Sequence, residues 1–253
     1  MKDILCCRGL AAGYRERTVL SGIGFSLPAG TFTVLVGANG SGKSTLLRTL
    51  AGQQPAVGGV VEICGRPAGC YGRRALARVR AIVDTARHGG GGLRVAEAVA
   101  VGRYAFTGWT GMLSASDRAI VAESLAAVGM SDFAGRYLAE LSDGERQKVM
   151  IARALAQQTP LLMLDEPTAF LDVAARLDIM RMLRRLADAG RAVILSTHDI
   201  APAMAQADMV LAVDPAARTA VLGARDAMIE SGVLDRSFAS AGLHFDPAVM
   251  DFR

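Results

Sequence analysis

Gly37-Ala38-Asn39-Gly40-Ser41-Gly42-Lys43-Ser44-Thr45 follows a β-branched, apolar run and precedes helix-forming residues. Gly37, Gly42, Lys43 and Ser44 satisfy G-x-x-x-x-G-K-[ST], and a strand before with a helix after is the context this pattern requires. The chemistry is phosphate binding. Glycines let the backbone curl so that N–H groups converge on an anion. The helix N-terminus adds partial positive charge. Lys43 brings a mobile point charge to the β- and γ-phosphates, and the Ser44 hydroxyl is placed for Mg²⁺. ATP with Mg²⁺ is the expected ligand, held by residues 37–45.

A second group lies at Leu161-Leu162-Met163-Leu164-Asp165-Glu166. Continuous apolar runs are typical of buried parallel strands, and ligands gather at the carboxyl ends of such strands. Asp165 is therefore expected to hold Mg²⁺, and Glu166 to polarise the water that attacks the γ-phosphate. Ser142 and Glu145 form a third group, spaced as a capping box at a helix start.

These residues need a sheet to hold them. Residues 4–10 and 19–27 read as strands around a turn at 13–17. Residues 31–36, 60–63, 79–83, 161–164, 192–196, 209–213 and 220–222 read as further strands. Helical apolar spacing marks 43–51, 95–101, 116–128, 143–157 and 174–189. Strands alternating with helices argue for an α/β sheet. The Gly-rich stretch His88-Gly89-Gly90-Gly91-Gly92 is the natural boundary. One domain is expected, with a core of 1–93 and 158–253 and an inserted helical block over 94–157.

Composition narrows the class. The 253 residues carry a net charge of +4 and few aromatics, 5%, so the core must be mostly aliphatic. The basic excess is too small and dispersed for nucleic acid. Its densest cluster, Arg73, Arg74, Arg78, Arg80 and Arg87, reads as a solvated face. Four cysteines without a CxxC pair read as free thiols in a reducing compartment. The N-terminus shows no signal-peptide pattern. No apolar run reaches the length of a membrane span.

Leu141-Ser142-Asp143-Gly144-Glu145, lying between the phosphate loop and the acidic strand, resembles the signature motif of ATP-binding-cassette (ABC) ATPases. The usual form is LSGGQ, and this chain departs from it at the third and fifth positions. The resemblance covers nearly the whole chain. It implies a P-loop NTPase core with an inserted helical subdomain and an N-terminal antiparallel β region. Further positions take roles from it. Tyr14, 23 residues before Gly37, resembles the aromatic residue that stacks on adenine. Ala169-Phe170-Leu171-Asp172 resembles the loop that meets a partner subunit. His198 resembles the switch histidine at the γ-phosphate. Thr85 stands where the family usually carries a Gln that touches Mg²⁺, which leaves at most a weak metal ligand there.

The resemblance also implies a head-to-tail homodimer in which Ser142 and the Gly144 N–H complete the partner's site. It implies integral-membrane permease subunits, a periplasmic or surface binding protein, and a peripheral place on the cytoplasmic face of the membrane. Gly102-Arg103-Tyr104-Ala105-Phe106-Thr107-Gly108-Trp109 looks like the iron-siderophore, haem and cobalamin importer ATPases, and Phe106 and Trp109 would help dock the permease. Two other readings stay open: the ATPase of a different importer or exporter, and a soluble ABC clamp acting on nucleic acid. The clamp usually brings a second cassette or a long coiled coil, and neither is present in this sequence.

Overall fold

The computed structural model describes residues 3–15, 17–84, 92–169, 171–239 and 242–252. Thr85 and Phe170 lie outside the described residues. The chain opens with a hairpin of β1 (Asp3–Tyr14) and β2 (Arg17–Pro28). β3 (Phe32–Val36) leads through the glycine-rich loop into α1 (Lys43–Leu50). Next come β4 (Gly58–Ile63), β5 (Arg66–Pro67), α2 (Arg73–Leu76) and β6 (Arg80–Val83). A helical block follows: α3 (Val95–Ala100), α4 (Ala115–Ala127) and α5 (Asp143–Ala156). The chain then alternates through β7 (Leu161–Asp165), α6 (Val173–Asp188), β8 (Ala192–Ser196), α7 (Ile200–Gln206) and β9 (Met209–Asp214). β10 (Thr219–Ala224), α8 (Arg225–Glu230), α9 (Val233–Phe238) and the short pair β11 (Phe245–Asp246) and β12 (Asp251–Phe252) complete it.

The strands form two main sheets. One is antiparallel, in the order β2-β1-β4-β5. The other runs β10-β9-β3-β8-β7-β6, parallel from β9 to β6 with β10 antiparallel at its edge. Every residue of β3, β7 and β8 is buried. That is why these strands read as unbroken apolar runs rather than alternating ones.

Alternation survives inside the core. Leu161, Met163, Ala192 and Ile194 pack with Leu35, α1 and the hairpin. Leu162, Leu164, Val193 and Leu195 pack on the opposite face with α5, α6 and α7. The parallel sheet is thus a middle layer between the antiparallel sheet and the helices, with the strand period of two dividing its side chains between the two cores.

Two expectations change. The hairpin strands reach further toward the turn than the alternation suggested, by four residues in β1 and two in β2. Register shifts at Cys7/Leu10, Leu10/Ala12 and Ala12/Gly13 break the period-two signal there. The basic cluster is not a simple solvated face. Arg74 and Arg78 both donate from Nε to the Ala105 carbonyl, at 3.0 and 2.7 Å. Arg80 Nε donates to the Ala51 carbonyl at 2.7 Å, and burial lowers its pKa.

Candidate functional site

The phosphate loop joins the buried end of β3 to α1. Gly37 has φ 153° and Gly42 φ 107°. A Cβ on Gly37 would come within 2.8 Å of Ser41 Oγ and 3.1 Å of Val213 Cβ. One on Gly42 would come within 2.8 Å of Val19 Cγ1. Both positions therefore exclude side chains by conformation and by contact. Asn39 and Gly40 are exposed at the tip, while Ser41, Lys43 and Thr45 are buried. Lys43 Nζ donates to the carbonyls of Gly37 and Ala38 at 2.7 and 3.1 Å. Burial lowers the Lys43 pKa, opposed by the nearby carboxylates of Glu166 and Asp165. The Ala38 N–H is not free to face an anion, because it donates to the Ser237 carbonyl of α9 at 3.1 Å.

The half-exposed Tyr14 closes one side of the loop: Thr45 Oγ1, in the first turn of α1, donates to Tyr14 Oη at 3.2 Å. The aromatic residue singled out in the sequence is therefore held against the helix that carries Lys43 and Ser44.

On the other side, the parallel strands end together. Asp165 lies opposite Ser196, and Leu35 of β3 lies opposite the same Ser196. Asp165 is buried, and its Oδ1 has no hydrogen-bond partner. A buried, acceptor-only oxygen at this point fits a hard divalent cation. Among the described residues no group of three or more His, Cys, Asp and Glu could form an all-protein cage. Ser44 sits one residue into α1 on the facing element.

Glu166 adopts a left-handed conformation, φ 51°, which costs about 1–3 kcal/mol in a non-glycine residue. Its N–H donates to the Ser196 carbonyl at 2.8 Å. The backbone is thereby turned at the strand end, and the Glu166 carboxylate meets His198, whose Nε2 lies 2.7 Å from Oε1. The two candidate catalytic residues are brought into direct contact.

Ser142 and Gly144 lie elsewhere. Ser142 caps α5: its Oγ accepts from the Glu145 N–H at 3.3 Å, and Glu145 Oε2 accepts from the Ser142 N–H at 2.8 Å and from its hydroxyl at 2.7 Å. Ser142, Gly144, Glu145, Leu171 and Asp172 line a cleft of about 460 Å³ that includes no phosphate-loop residue. Asp172 accepts from the Ala175 N–H at 2.7 Å, so it is the N-cap of α6. Trp109 is 97% exposed. Phe106 is less free, since the guanidinium groups of Arg103 and Arg78 lie 4.1 and 5.3 Å from its ring centroid. Sequence reasoning missed Thr168, Arg176 and Asp199, whose hydrogen bonds surround the Glu166–His198 contact. Only the position of Asp199 beside His198 hinted at them.

Comparison with known proteins agrees with this geometry. Residues 20–169 match the ABC transporter family. The hemin import ATP-binding protein HmuV of Streptomyces coelicolor is 43% identical over 202 residues, 80% of this chain and 71% of that protein. The iron(3+)-hydroxamate import ATP-binding protein FhuC of Bacillus subtilis is 38% identical over 192 residues, 76% of this chain and 71% of that one. A chain of a metal-chelate type ABC transporter, solved in an inward-facing conformation, is 26% identical and superposes with a TM-score of 0.79, covering 94% of this chain and 89% of that chain. With residues 20–169 matching the family and a relative 43% identical matched over 71% of its length, the chain belongs to the ABC transporter family.

Proposed function

We propose that this chain is the ATP-hydrolysing subunit that energises a membrane importer of a metal chelate of the iron-siderophore, haem or cobalamin kind. The observation that carries the hydrolytic part is the contact of His198 with Glu166 beside a complete phosphate loop. The chelate class rests on the import proteins to which the chain is similar. No helix among the described residues is long and apolar enough to cross a membrane; in this reading separate permease subunits form the transport path. The chain would join them peripherally at the cytoplasmic face, with Trp109 as the exposed aromatic contact. A periplasmic or surface binding protein would deliver the chelate.

In this reading the N–H groups of Asn39 to Thr45 and the Lys43 ammonium bind the phosphates, and Tyr14 stacks on adenine. Mg²⁺, held by Ser44 and Asp165 with Thr85 as a weak third ligand, would neutralise phosphate charge. Glu166 accepts the proton of the attacking water, and His198 keeps its carboxylate aimed. Residues 94–157 act as a helical subdomain. Its Ser142 and Gly144 reach the γ-phosphate of a second copy, which explains why they lie apart from the phosphate loop of their own chain. ATP then joins two copies and hydrolysis parts them, a population shift driven by differential affinity.

Uptake measurements test the proposal. A strain lacking this gene should lose accumulation of one ferric-siderophore, haem or cobalamin ligand, and the wild-type gene should restore it while Glu166→Gln should not. Unchanged uptake of all three classes would overturn the chelate assignment. Co-purification with an exporter permease would favour the alternative, the ATPase of a different transporter.

A further inference from the structure

Asp199 follows His198 in the chain, and its carboxylate is fully engaged. Oδ2 accepts from Thr168 Oγ1 at 2.9 Å, and Oδ1 accepts from Arg176 Nη1 at 2.8 Å. Its own N–H donates to Thr197 Oγ1 at 3.0 Å. Thr168 stands two residues beyond Glu166. The Asp199 carboxylate therefore ties the segment that carries His198 to the Thr168 side chain of the segment that carries Glu166.

Arg176 extends the arrangement. It lies in the first turn of α6, and its Nε donates to the Leu171 carbonyl at 2.8 Å. The same guanidinium thus holds Asp199 with one nitrogen and the segment before α6 with another. Leu171 and Asp172 line the cleft shared with Ser142. The Arg176 and Asp199 side chains are 36% and 24% exposed, and an ion pair that open to water adds little to stability. Its content is geometric: the planar guanidinium fixes two acceptors at set directions.

We propose that Asp199 is a positioning residue that holds His198 against Glu166 and, through Arg176, makes that contact depend on where the Leu171–Asp172 segment lies. The proposal rests on Glu166 and His198 acting in hydrolysis. A group that controls the aim of a reacting pair affects rate far more than ground-state binding, because small misplacements of reacting groups are costly.

The test is steady-state ATP hydrolysis by the full chain with Mg²⁺. Asp199→Asn should lower kcat about 10- to 100-fold while KM for ATP stays within about 3-fold. Placed on His198→Ala, it should add less than about 2-fold, because both changes remove one function. Arg176→Lys should recover part of the rate lost in Arg176→Ala. Arg181→Ala, which removes an exposed pair with Asp178 on the same helix, should behave as wild type. Thr168→Val removes the Oδ2 bond alone and should give a smaller loss of kcat. A KM that rises as much as kcat falls, or losses of Asp199→Asn and His198→Ala that multiply, would overturn the proposal. The His198 Cε1–H resonance, identified as the signal missing from His198→Ala, reads the same contact without turnover. It should move in Asp199→Asn and not in Arg181→Ala, and an unmoved signal overturns the proposal. A wild-type chain that hydrolyses no ATP, yet whose His198 signal moves in this way, overturns only the ATPase reading.

Discussion

His198 Nε2 lies 2.7 Å from Glu166 Oε1, although the two residues sit at the ends of different strands. The contact exists because β7 and β8 are parallel neighbours in register, Asp165 opposite Ser196, and because the backbone of Glu166 turns left-handed one residue later. Acid and imidazole are therefore a unit. Glu166→Gln keeps the shape and removes the base, so kcat should fall about 10²- to 10⁴-fold, the usual worth of general-base catalysis. ATP binding, followed by equilibrium fluorescence of a nucleotide analogue, should be retained. Loss of binding together with turnover would show that Glu166 serves the ground state.

Tyr14 should matter for affinity and not for chemistry. Base–aromatic stacking is worth about 1–3 kcal/mol, so Tyr14→Ala should raise the ATP dissociation constant between about 5- and 150-fold. Tyr14→Phe keeps the ring and loses the Thr45 hydrogen bond, and it should cost much less. Equal losses in the two variants would mean that the hydroxyl, not the ring, does the work.

Gly42→Ala should damage both fold and loop. The new Cβ would meet Val19 Cγ1 at 2.8 Å on a residue with φ 107°. Left-handed strain alone costs about 1–3 kcal/mol, and the clash pushes β2 away from the start of α1. Thermal unfolding should show a lowered midpoint and nucleotide titration a weakened site. A variant with wild-type stability and affinity would contradict the geometry.

Acid should act on the helical block at Asp117. Hydrogen bonds from Ser114, then the Arg103 guanidinium, hold its pKa down to about 2, below the ordinary value of about 3.9. A folded-state pKa below the unfolded one stabilises the protein above pH 4, and that contribution is lost as pH falls from about 4 to about 2. Asp117→Asn should be less stable at neutral pH, and its difference from wild type should shrink through this window. A constant difference down to pH 2 would mean that the charge is irrelevant.

The sequence was most legible where chemistry and local structure coincide. Strand β7 announced itself because a strand buried on both faces must be apolar throughout, and Asp165 and Glu166 stand where that run stops. The capping box at Ser142 and Glu145 was equally local, three residues apart. What escaped is long-range. Nothing near Arg74 or Arg78 says that both will bond to the Ala105 carbonyl about 30 residues away. Nothing near Thr168 points to Asp199. The Ala38 N–H, expected to face phosphate, is taken by a carbonyl at the far end of the chain. Such bonds are set by tertiary packing, which leaves no periodic trace.

That last bond carries a practical consequence. The first residues of the nucleotide loop are fastened to α9, about 200 residues further along the chain. α9 is therefore structural in the same sense as a bearing cap: it sets the clearance of the loop that carries the chemistry. Any change that shifts α9 is a mechanical change to the nucleotide site.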